Sequence, residues 1–472
     1  MIRMNLEQVL DATGADLVRP PERSRAAQLE LVGVSTDSRT AAPGSLFVGL
    51  SGPNFDGNRF GRDAAARGAK ALLLRADPAL SLDGLPPEVG LAVHPDPQRA
   101  LTDLAAWHRS RLTCTVVGIT GTCGKTTTKD LMVELFGRHR RTVGSQKSYN
   151  NHIGVPLTIL AADESTEVLV CEIGTSGPGE IAALSRLARP DIAVVTLIGA
   201  GHLEKLVSIE GVAREKSDLP ASLGPEGLFV LDADGDFAAF LRSTTQARAL
   251  SFSTRGRGDW NASDLEVDAR GTGFRLFGRS LHVPLAGEHN VKNLLATLIV
   301  GDALGLSFEL LAPALPGLLA SRQRLERRQI GPWTLYDDTY NANPDSARAA
   351  LELVAALPGR RVFVLGDMLE LGELSPELHH RIGMQAAALG LDLFVAVGPL
   401  SAAAAAGALE GGLDPARVRH FPAVERAVEV VPGLLEPGDT VVAKASRGVR
   451  LERLVQRLVE LASTETVAEG GR

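Results

Sequence analysis

Lysine is scarce in this sequence. Eight of the 49 basic residues are lysines, which leaves 41 arginines. Where arginine is the usual cation, a lysine can mark a position at which arginine does not serve, such as one that needs a primary amine. The lysines are therefore the first candidates for functional residues: Lys70, Lys125, Lys129, Lys147, Lys205, Lys216, Lys292 and Lys444.

Cysteine and long apolar runs are also rare. The three cysteines have no CxxC spacing and no neighbouring histidine cluster, a pattern that fits neither a disulfide framework nor a structural zinc site. The first seven residues already include the charged Arg3 and Glu7 and the polar Asn5, so the start of the chain lacks the apolar core of a signal peptide. The longest uncharged stretch, 393–409, is too short and too often broken by glycine and proline to span a bilayer. We therefore expect a cytoplasmic protein with reduced thiols and no membrane insertion.

The remaining composition is that of a folded, mildly acidic protein. Hydrophobic residues make up 44% of the 472 residues and charged residues 22%, which excludes overall disorder. The formal net charge of −7 argues against a non-specific nucleic-acid binder. At about 150 residues per domain, this length predicts three domains.

The order of strand-like and helix-like segments predicts an α/β protein of three domains. Short strand-like runs and one helix-like stretch form a small α/β domain over residues 1–96, which ends at the turn sequence HPDPQ. Apolar runs alternate with helical patterns over residues 97–320, which predicts a parallel sheet covered on both faces. A second such series begins near Trp333, which predicts a C-terminal Rossmann-like domain over residues 321–472.

A glycine-rich segment lies between a β-branched strand and an amphipathic helix. In this context, backbone N–H groups and a helix N-terminus bind phosphates, a lysine reaches the terminal phosphates and a threonine hydroxyl binds Mg²⁺. A glycine-rich turn without a ligand would account for the two glycines but not for the Lys-Thr-Thr that follows them. The central domain is thus predicted to be a P-loop mononucleotide-binding domain. Its candidate residues are Gly121, Thr122, Cys123, Gly124, Lys125, Thr126 and Thr127.

Polar side chains follow the next two predicted strands. Glu172 comes directly after EVLVC, and His202 follows DIAVVTLIGAG. Ligands of parallel α/β sheets bind beyond the carboxyl ends of the strands. Glu172 and Thr126 are therefore candidates for a shared Mg²⁺ ion, although Glu172 alone would also fit an ordinary strand-end carboxylate. His202 alone would more often be a surface or hydrogen-bonded histidine.

The motifs resemble those of the ATP-dependent Mur ligases, and within that family those of the branch that adds the D-Ala-D-Ala dipeptide. The resemblance covers nearly the whole chain. The first domain contributes STDSR and NFDGNRF, and the central domain contributes GITGTCGKTTTKD, YNNHIGVPLTIL, CEIGTSGPGEI, GHLE, REKSDL and AGEHNVKN. The last domain contributes YDDTYNANPDS, VLGDMLELGELSPELHHRIG and VAKASRG.

The resemblance implies a reaction between a carboxylate and an amine. ATP would phosphorylate the carboxylate of a UDP-MurNAc-tripeptide to an acyl phosphate, which the amine of D-Ala-D-Ala would then attack. Lys125, with one Mg²⁺ ion on Thr126 and Glu172, would neutralise charge during phosphoryl transfer. The family also implies a second Mg²⁺ ion, held by His202 and by Lys216 carbamylated with CO₂. From periodicity alone, Lys216 could equally be a surface cation on a helix.

The resemblance assigns further residues to the nucleotide and to the two substrates. Asn293 would bind adenine, and Arg324 and Asp338 would reach the phosphates and the ribose, although an Asn helix cap also fits the HNVKN segment. An Asx-rich turn is likewise an alternative reading of NANPD. The implied substrate-binding residues are Asp37, Ser38, Arg39, Asn151, Tyr340, Asn341, Asn343 and Lys444.

Two other functions fit parts of the sequence. A Mur-type ligase that adds the third amino acid would carry a DNPR-type motif, which this chain lacks. A catalytically silent nucleotide-binding regulator is disfavoured by the complete set of Lys125, Glu172, His202 and Lys216. We expect a monomeric enzyme whose domains close over ATP. The sequence leaves open whether the third residue of the peptide is diaminopimelate or lysine.

Overall fold

Three separate β-sheets, each with its own helices, form the body of the protein. The computed structural model describes residues 1–20, 22–52, 55–77 and 84–469, with side chains up to residue 463. We call the sheets with their helices the first, central and third units. Within the described residues, no helix combines the length and the apolar character needed to cross a membrane.

The first unit is a small mixed sheet of five strands. In spatial order the strands are Asp16–Arg19, Gly90–His94, Ala71–Arg75, Leu46–Val48 and Val34–Ser35, and only the first of these pairs is antiparallel. Two short antiparallel pairs accompany it, Arg3–Asn5 with Glu30–Val32 and Ser51–Gly52 with Phe55–Asp56. Its helices are Leu6–Thr13, Arg23–Ala26 and Gly61–Ala66.

The central unit is a parallel sheet of seven strands, as the alternating pattern predicts. In spatial order they are Thr142–Gly144, Val168–Glu172, Thr115–Thr120, Ile192–Val195, Leu228–Asp232, Arg248–Ser253 and Trp260–Asn261. The strands nearest the middle are buried throughout, because helices cover both faces. The helices are Pro97–Arg109, Lys125–Phe136, Gly154–Ala161, Glu180–Ala188, Leu203–Leu206, Ile209–Ala221, Ala238–Ser243, Glu288–Ala303 and Phe308–Leu311. A three-stranded antiparallel sheet, Ser263–Asp268, Gly271–Leu276 and Arg279–Val283, is an addition that the pattern did not predict.

The third unit is a sheet of six strands. In spatial order they are Glu326–Ile330, Trp333–Asp338, Thr440–Lys444, Arg361–Gly366, Leu393–Val397 and Val418–Phe421. The first pair is antiparallel and the others are parallel, so five of the strands match the predicted Rossmann-like series. The helices are Pro344–Ala356, Ser375–Ala388, Ala402–Glu410, Val424–Val430 and Glu452–Glu469.

Apolar cores join the units as well as filling them. The core around helix Pro97–Arg109 contains Leu46 of the first sheet and Leu169 of the central sheet. Part of the central chain is also buried in the core of the third unit, where Leu203 and Leu206 belong to the same cluster as Met368 and Leu371. The carboxyl ends of central strands therefore face the third unit across a packed contact.

Candidate active site

The glycine-rich loop has the geometry of a phosphate site. Gly124 has a φ of +88° and directly precedes helix Lys125–Phe136, so that the loop turns into the helix N-terminus. A Cβ atom on Gly124 would lie 2.4 Å from Oδ1 of Asn293, the predicted adenine-binding residue. The loop and Asn293 are thus in direct contact, and the contact requires glycine at this position.

Lys125 folds back onto its own loop. Its Nζ donates hydrogen bonds to the carbonyl oxygens of Gly121 at 2.6 Å and of Thr122 at 3.4 Å. Burial lowers the pKa of the Lys125 ammonium, and the nearby Glu172 carboxylate partly opposes this. An anionic ligand at the loop would favour the charged form of this lysine.

The predicted magnesium pair is already in contact. The Thr126 hydroxyl donates to Glu172 Oε2 at 2.8 Å, and Asn150 Nδ2 donates to Glu172 Oε1 at 2.8 Å. Ser148 Oγ lies 3.0 Å from the Thr126 hydroxyl. Glu172 is only 1% exposed, and these bonds fix its carboxylate at the end of its strand. Hydroxyl and carboxylate oxygens are the ligands that Mg²⁺ prefers.

Lys216 is fully buried, and its Nζ has no hydrogen-bond partner among the residues that the structure describes. Burial lowers the pKa of this amine well below 10.5, and the charge of Lys125 lowers it further. The neighbouring Glu215 points elsewhere, because its two carboxylate oxygens accept the backbone N–H groups of Gly179 and Ile181. The alternative of a surface cation is therefore wrong for Lys216. Burial therefore favours the uncharged form of this amine, which is the nucleophilic form.

His202 lies at the junction of the central and third units. Its Nδ1 is 2.6 Å from Oε2 of Glu370, which belongs to the third unit. The His202 backbone has a φ of +56°, a left-handed conformation that is uncommon outside glycine. This predicted metal ligand is thus in hydrogen-bonding contact with a carboxylate of the third unit.

An arginine and a tyrosine of the third unit face the magnesium pair. Arg324 Nη2 donates to Ser148 Oγ at 3.1 Å, and the Arg324 guanidinium carbon lies 4.3 Å from the centre of the Tyr340 ring. The Arg447 guanidinium lies 5.8 Å from the same ring. Tyr340 therefore lies between two cations, which suits an anionic substrate group nearby.

Lys444 and Asp338 form a buried ion pair at the ends of adjacent strands. Lys444 Nζ donates to Asp338 Oδ2 at 2.5 Å and to the Asn341 carbonyl at 3.1 Å. Lys444 is 2% exposed. Burial lowers the pKa of the nearby His289 to about 4, so this imidazole is neutral at pH 7. Lys444, predicted to bind the incoming dipeptide, is thus already paired with Asp338.

Two side chains at the start of helix Pro344–Ala356 bind the central unit. Asn343 caps the helix by accepting the Ser346 N–H, and its side-chain amide also lies within 3.2 Å of Cys123 Sγ. Asp345 Oδ2 accepts the N–H of Ala200 at 2.8 Å. The Asx-turn reading of this segment is therefore correct, and Asn343 also reaches Cys123 of the phosphate loop.

Two cavities lie between the central and third units. One, of about 300 Å³, brings together the phosphate loop and the strand-end residues; its predicted members are Thr122, Cys123, Gly124, Lys125, Thr126, Asn151, Glu172, His202, Arg324, Tyr340, Asn341 and Asn343. The other, of about 490 Å³, is lined by Thr127, Asn293, Asp338 and Lys444, and shares Thr122, Cys123, Gly124, Arg324, Asn341 and Asn343 with the first. Lys216 lines neither of these cavities.

The predicted substrate residues of the first unit lie apart from this cluster. Asp37 lines a third cavity of about 210 Å³ together with Tyr149 of the central unit, whereas Ser38 and Arg39 do not line it. Arg39 is paired with Asp37, and this hydrogen bond lowers the pKa of the Asp37 carboxyl to about 2. Asn151 Oδ1 accepts the N–H groups of residues 153 and 154, so this side chain holds the turn that leads into helix Gly154–Ala161.

Sequence reasoning missed three residues that contact predicted ones. Ser148 and Asn150 contact the magnesium pair, and Glu370 contacts His202. All three lie in or beside quoted motifs, YNNHIGVPLTIL and VLGDMLELG. Their polar side chains were the available signal, but the partners are too distant in sequence for spacing to reveal them.

Comparison with known proteins shows the same three-part arrangement. Residues 30–106 match the Mur ligase family catalytic domain, residues 119–301 the Mur ligase middle domain and residues 323–447 the Mur ligase glutamate ligase domain. The chain is 34% identical to the UDP-N-acetylmuramoyl-tripeptide--D-alanyl-D-alanine ligase of Bacillus subtilis strain 168, over 98% of this chain and 99% of that protein. The protein is a Mur ligase.

Further relatives support the same family. The enzyme of the same name from Escherichia coli K12 is 32% identical to this Mur ligase, with 98% of this chain and 99% of that protein covered. A crystal structure of MurF from Acinetobacter baumannii superposes with a TM-score of 0.84 at 31% identity, covering 98% and 99% of the two chains. The MurF ligase of Thermotoga maritima in complex with ADP gives a TM-score of 0.77 at 27% identity, covering 92% and 98%.

The side chains of this Mur ligase fit a metal ion whose coordination is completed by water and substrate oxygens. Among the described residues, no three His, Cys, Asp or Glu side chains converge to hold an ion by themselves. Mg²⁺ in phosphoryl-transfer sites usually binds one or two carboxylates together with water and substrate phosphates. The contact between Thr126 and Glu172 supplies such a partial set, and the unpartnered amine of Lys216 is the group that CO₂ would convert into a further ligand.

Proposed function

We propose that this Mur ligase joins D-alanyl-D-alanine to UDP-N-acetylmuramoyl-tripeptide at the expense of ATP. The product is the UDP-MurNAc-pentapeptide of peptidoglycan synthesis. The observation that carries the proposal is the cavity in which the phosphate loop and the Thr126–Glu172 pair face Tyr340, Asn341 and Asn343 of the third unit. The similarity to the Bacillus subtilis and Escherichia coli ligases over almost the whole chain agrees with it.

The three predicted domains divide the binding work. Residues 1–96, with Asp37, Ser38 and Arg39, bind the UDP-substrate, and residues 97–320 bind ATP. Residues 321–472 bind the incoming dipeptide. The contact between Gly124 and Asn293 supports the assignment of ATP, because it joins the phosphate and adenine candidates in one place. Closure of the third domain on the central domain would bring the acceptor carboxylate and the amine together.

The residues of the site then act in two steps, first on ATP and the UDP-tripeptide and then on the dipeptide. Lys125 moves from its loop carbonyls to the terminal phosphate and neutralises charge as the phosphoryl group passes to the tripeptide carboxylate. That transfer forms a bond from phosphorus to the carboxylate oxygen and releases ADP. Arg324 and Tyr340 orient the anionic groups. The dipeptide amine then attacks the acyl carbon and releases phosphate, with loss of a proton from the new amide nitrogen.

Magnesium and a carbamate fit the residues present. Thr126 and Glu172 would hold one ion, and His202 with carbamylated Lys216 would hold another. Bound Mg²⁺ supplies charge neutralisation for the phosphates and the acceptor carboxylate. The Lys216 amine would attack CO₂, form a C–N bond and lose a proton, which yields an anionic oxygen ligand where a neutral amine was buried.

Phosphate release tests the function directly. We expect release from ATP to require both the UDP-tripeptide and D-Ala-D-Ala, with equimolar pentapeptide formed. Release with a free amino acid but not with the dipeptide would contradict the proposal and favour a ligase acting earlier in the series. Scattering measurements with nucleotide and UDP-substrate together should show compaction, and an unchanged radius of gyration would contradict domain closure.

A further inference from the structure

Glu370 is a third-unit carboxylate with no part in the reaction described so far. Its Oε2 lies 2.6 Å from Nδ1 of His202, a residue of the central unit 168 positions away. Its side chain is 58% exposed, so the contact is not a simple result of burial. Because a carboxylate only accepts hydrogen bonds, Nδ1 carries the proton in this contact, and Nε2 is the nitrogen that remains for a metal ion.

We infer that Glu370 is a positioning residue which orients His202 for metal binding, so that the His202 metal site is complete only when the third unit is docked. The inference rests on the placing of an ion at His202 in the proposed function. Histidine ligands commonly donate their second N–H to a carboxylate, which fixes the tautomer and the ring orientation. In this protein the carboxylate comes from a different structural unit.

The backbone around His202 is strained, so its conformation needs stabilising contacts from residues outside the segment. The short helix Leu203–Leu206 lies between His202, with φ +56°, and Val207, with φ +68°. A positive φ in a β-branched residue such as Val207 is rare and strained. Without compensating contacts this segment would relax and carry His202 with it.

The third unit supplies those compensating contacts. The carbonyl oxygen of Glu370 accepts the N–H of Glu204 at 3.2 Å, beside the side-chain contact to His202. Leu203 and Leu206 are buried in one apolar cluster with third-unit side chains. The third unit therefore contacts both helix Leu203–Leu206 and His202. The contacts are a backbone hydrogen bond, the Glu370 carboxylate and apolar side chains.

The loop that carries Glu370 is fixed within its own unit. Buried His379 accepts the Met368 N–H on Nε2 at 2.9 Å, and Ser446 Oγ accepts the Leu369 N–H at 2.9 Å. These bonds hold the two residues directly before Glu370. The backbone from which the Glu370 side chain extends is thus held by the third unit and does not depend on His202, as an orienting group requires.

Titration with Mn²⁺ followed by electron paramagnetic resonance, in the presence of a non-hydrolysable ATP analogue, tests the inference. Glu370→Leu keeps much of the size of the side chain but removes both oxygen acceptors, so that Nδ1 of His202 loses its partner. Loss of an orienting partner typically weakens metal binding 10- to 100-fold. We expect Glu370→Leu to weaken one Mn²⁺ site by about 10- to 100-fold, leave the other unchanged and reduce the ¹⁴N modulation of His202 in the pulsed spectrum.

Two further variants make the result unambiguous. Glu373→Leu makes the same change at an exposed carboxylate of the same loop and should leave both Mn²⁺ affinities as in the parent protein. His202→Ala should abolish the weakened site. If His202→Ala has no effect on Mn²⁺, the metal site of the proposed function fails and the inference fails with it. If His202→Ala abolishes a site but Glu370→Leu binds Mn²⁺ like the parent protein, the inference alone is overturned.

Discussion

Replacing Lys216 by methionine should inactivate the ligase and at the same time stabilise its fold in the absence of CO₂. Lys216 is 0% exposed, and within the described part of the chain its Nζ has no hydrogen-bond partner. A buried polar group without a partner costs about 1–3 kcal/mol, and methionine has nearly the same shape without that group. Lys216→Met should therefore raise the free energy of unfolding by about 1–3 kcal/mol in CO₂-free, metal-free buffer.

The gain should depend on pH, because the amine changes its protonation on unfolding. Burial lowers the pKa of Lys216 well below 10.5 in the folded state. Between that lowered pKa and 10.5 the unfolded chain binds the extra proton, so the stability of the parent protein rises with pH by about 1.4 kcal/mol per unit. Lys216→Met lacks this slope, and its advantage should shrink as the pH approaches 10.5.

Urea denaturation at several pH values, with and without bicarbonate, measures both effects. Bicarbonate should stabilise the parent protein, because the carbamate forms on the buried Lys216 amine of the folded state and not in the unfolded chain. It should not stabilise Lys216→Met, which has no amine at this position. Lys129→Met is the matched control: its Nζ is also buried but donates to two backbone carbonyls at 3.0 Å, so its loss should destabilise by about 1.5–3 kcal/mol. A Lys216→Met protein less stable than its parent in CO₂-free buffer would refute the reasoning.

Three further substitutions test other contacts of the site. Gly124→Ala places a Cβ 2.4 Å from Asn293 Oδ1 at a φ of +88°, and should weaken ATP-analogue binding in calorimetry about tenfold or more, while an unchanged affinity would contradict the contact. Lys444→Met leaves the Asp338 carboxylate buried without its cation and should lower the free energy of unfolding by about 3–5 kcal/mol, a loss that adding Asp338→Asn should partly restore. Lys125→Met should lower kcat about 10²- to 10³-fold in the phosphate-release assay, and near-normal turnover would exclude a role in phosphoryl transfer.

Local patterns predicted the parallel sheets and the core of the site. The phosphate loop and Glu172 follow buried strands, and because parallel strands end at one edge of a sheet, their proximity follows from periodicity alone. The strand Glu326–Ile330 was missed, since the first four residues of its sequence ERRQI are charged or polar and give no apolar run, and every second one of them is exposed at the edge of the sheet. The family resemblance, not periodicity, selected Lys216, whose complete burial no spacing rule indicates.

Contacts between units could not be predicted from one sequence. Glu370 meets His202 across 168 positions, and Cys123 meets Asn343 across 220. Such pairs depend on how two separately folded sheets dock, which helical and strand periods do not encode. The roles assigned to Arg39 and to the dipeptide residues stay predictions for the same reason, although the structure shows Arg39 paired with Asp37.

The close approach of Asp345 to residues 199 and 200 constrains how this protein can evolve. A Cβ at Gly199 would lie 2.1 Å from Asp345 Oδ2, and the same oxygen accepts the Ala200 N–H. Position 199 is therefore glycine because a carboxylate of the third unit occupies the space of a Cβ atom, and not because its local backbone turn requires glycine. Exchange of the third unit for that of a distant relative would preserve the fit only if both positions were inherited together, so the units are separate in folding pattern but not interchangeable as modules.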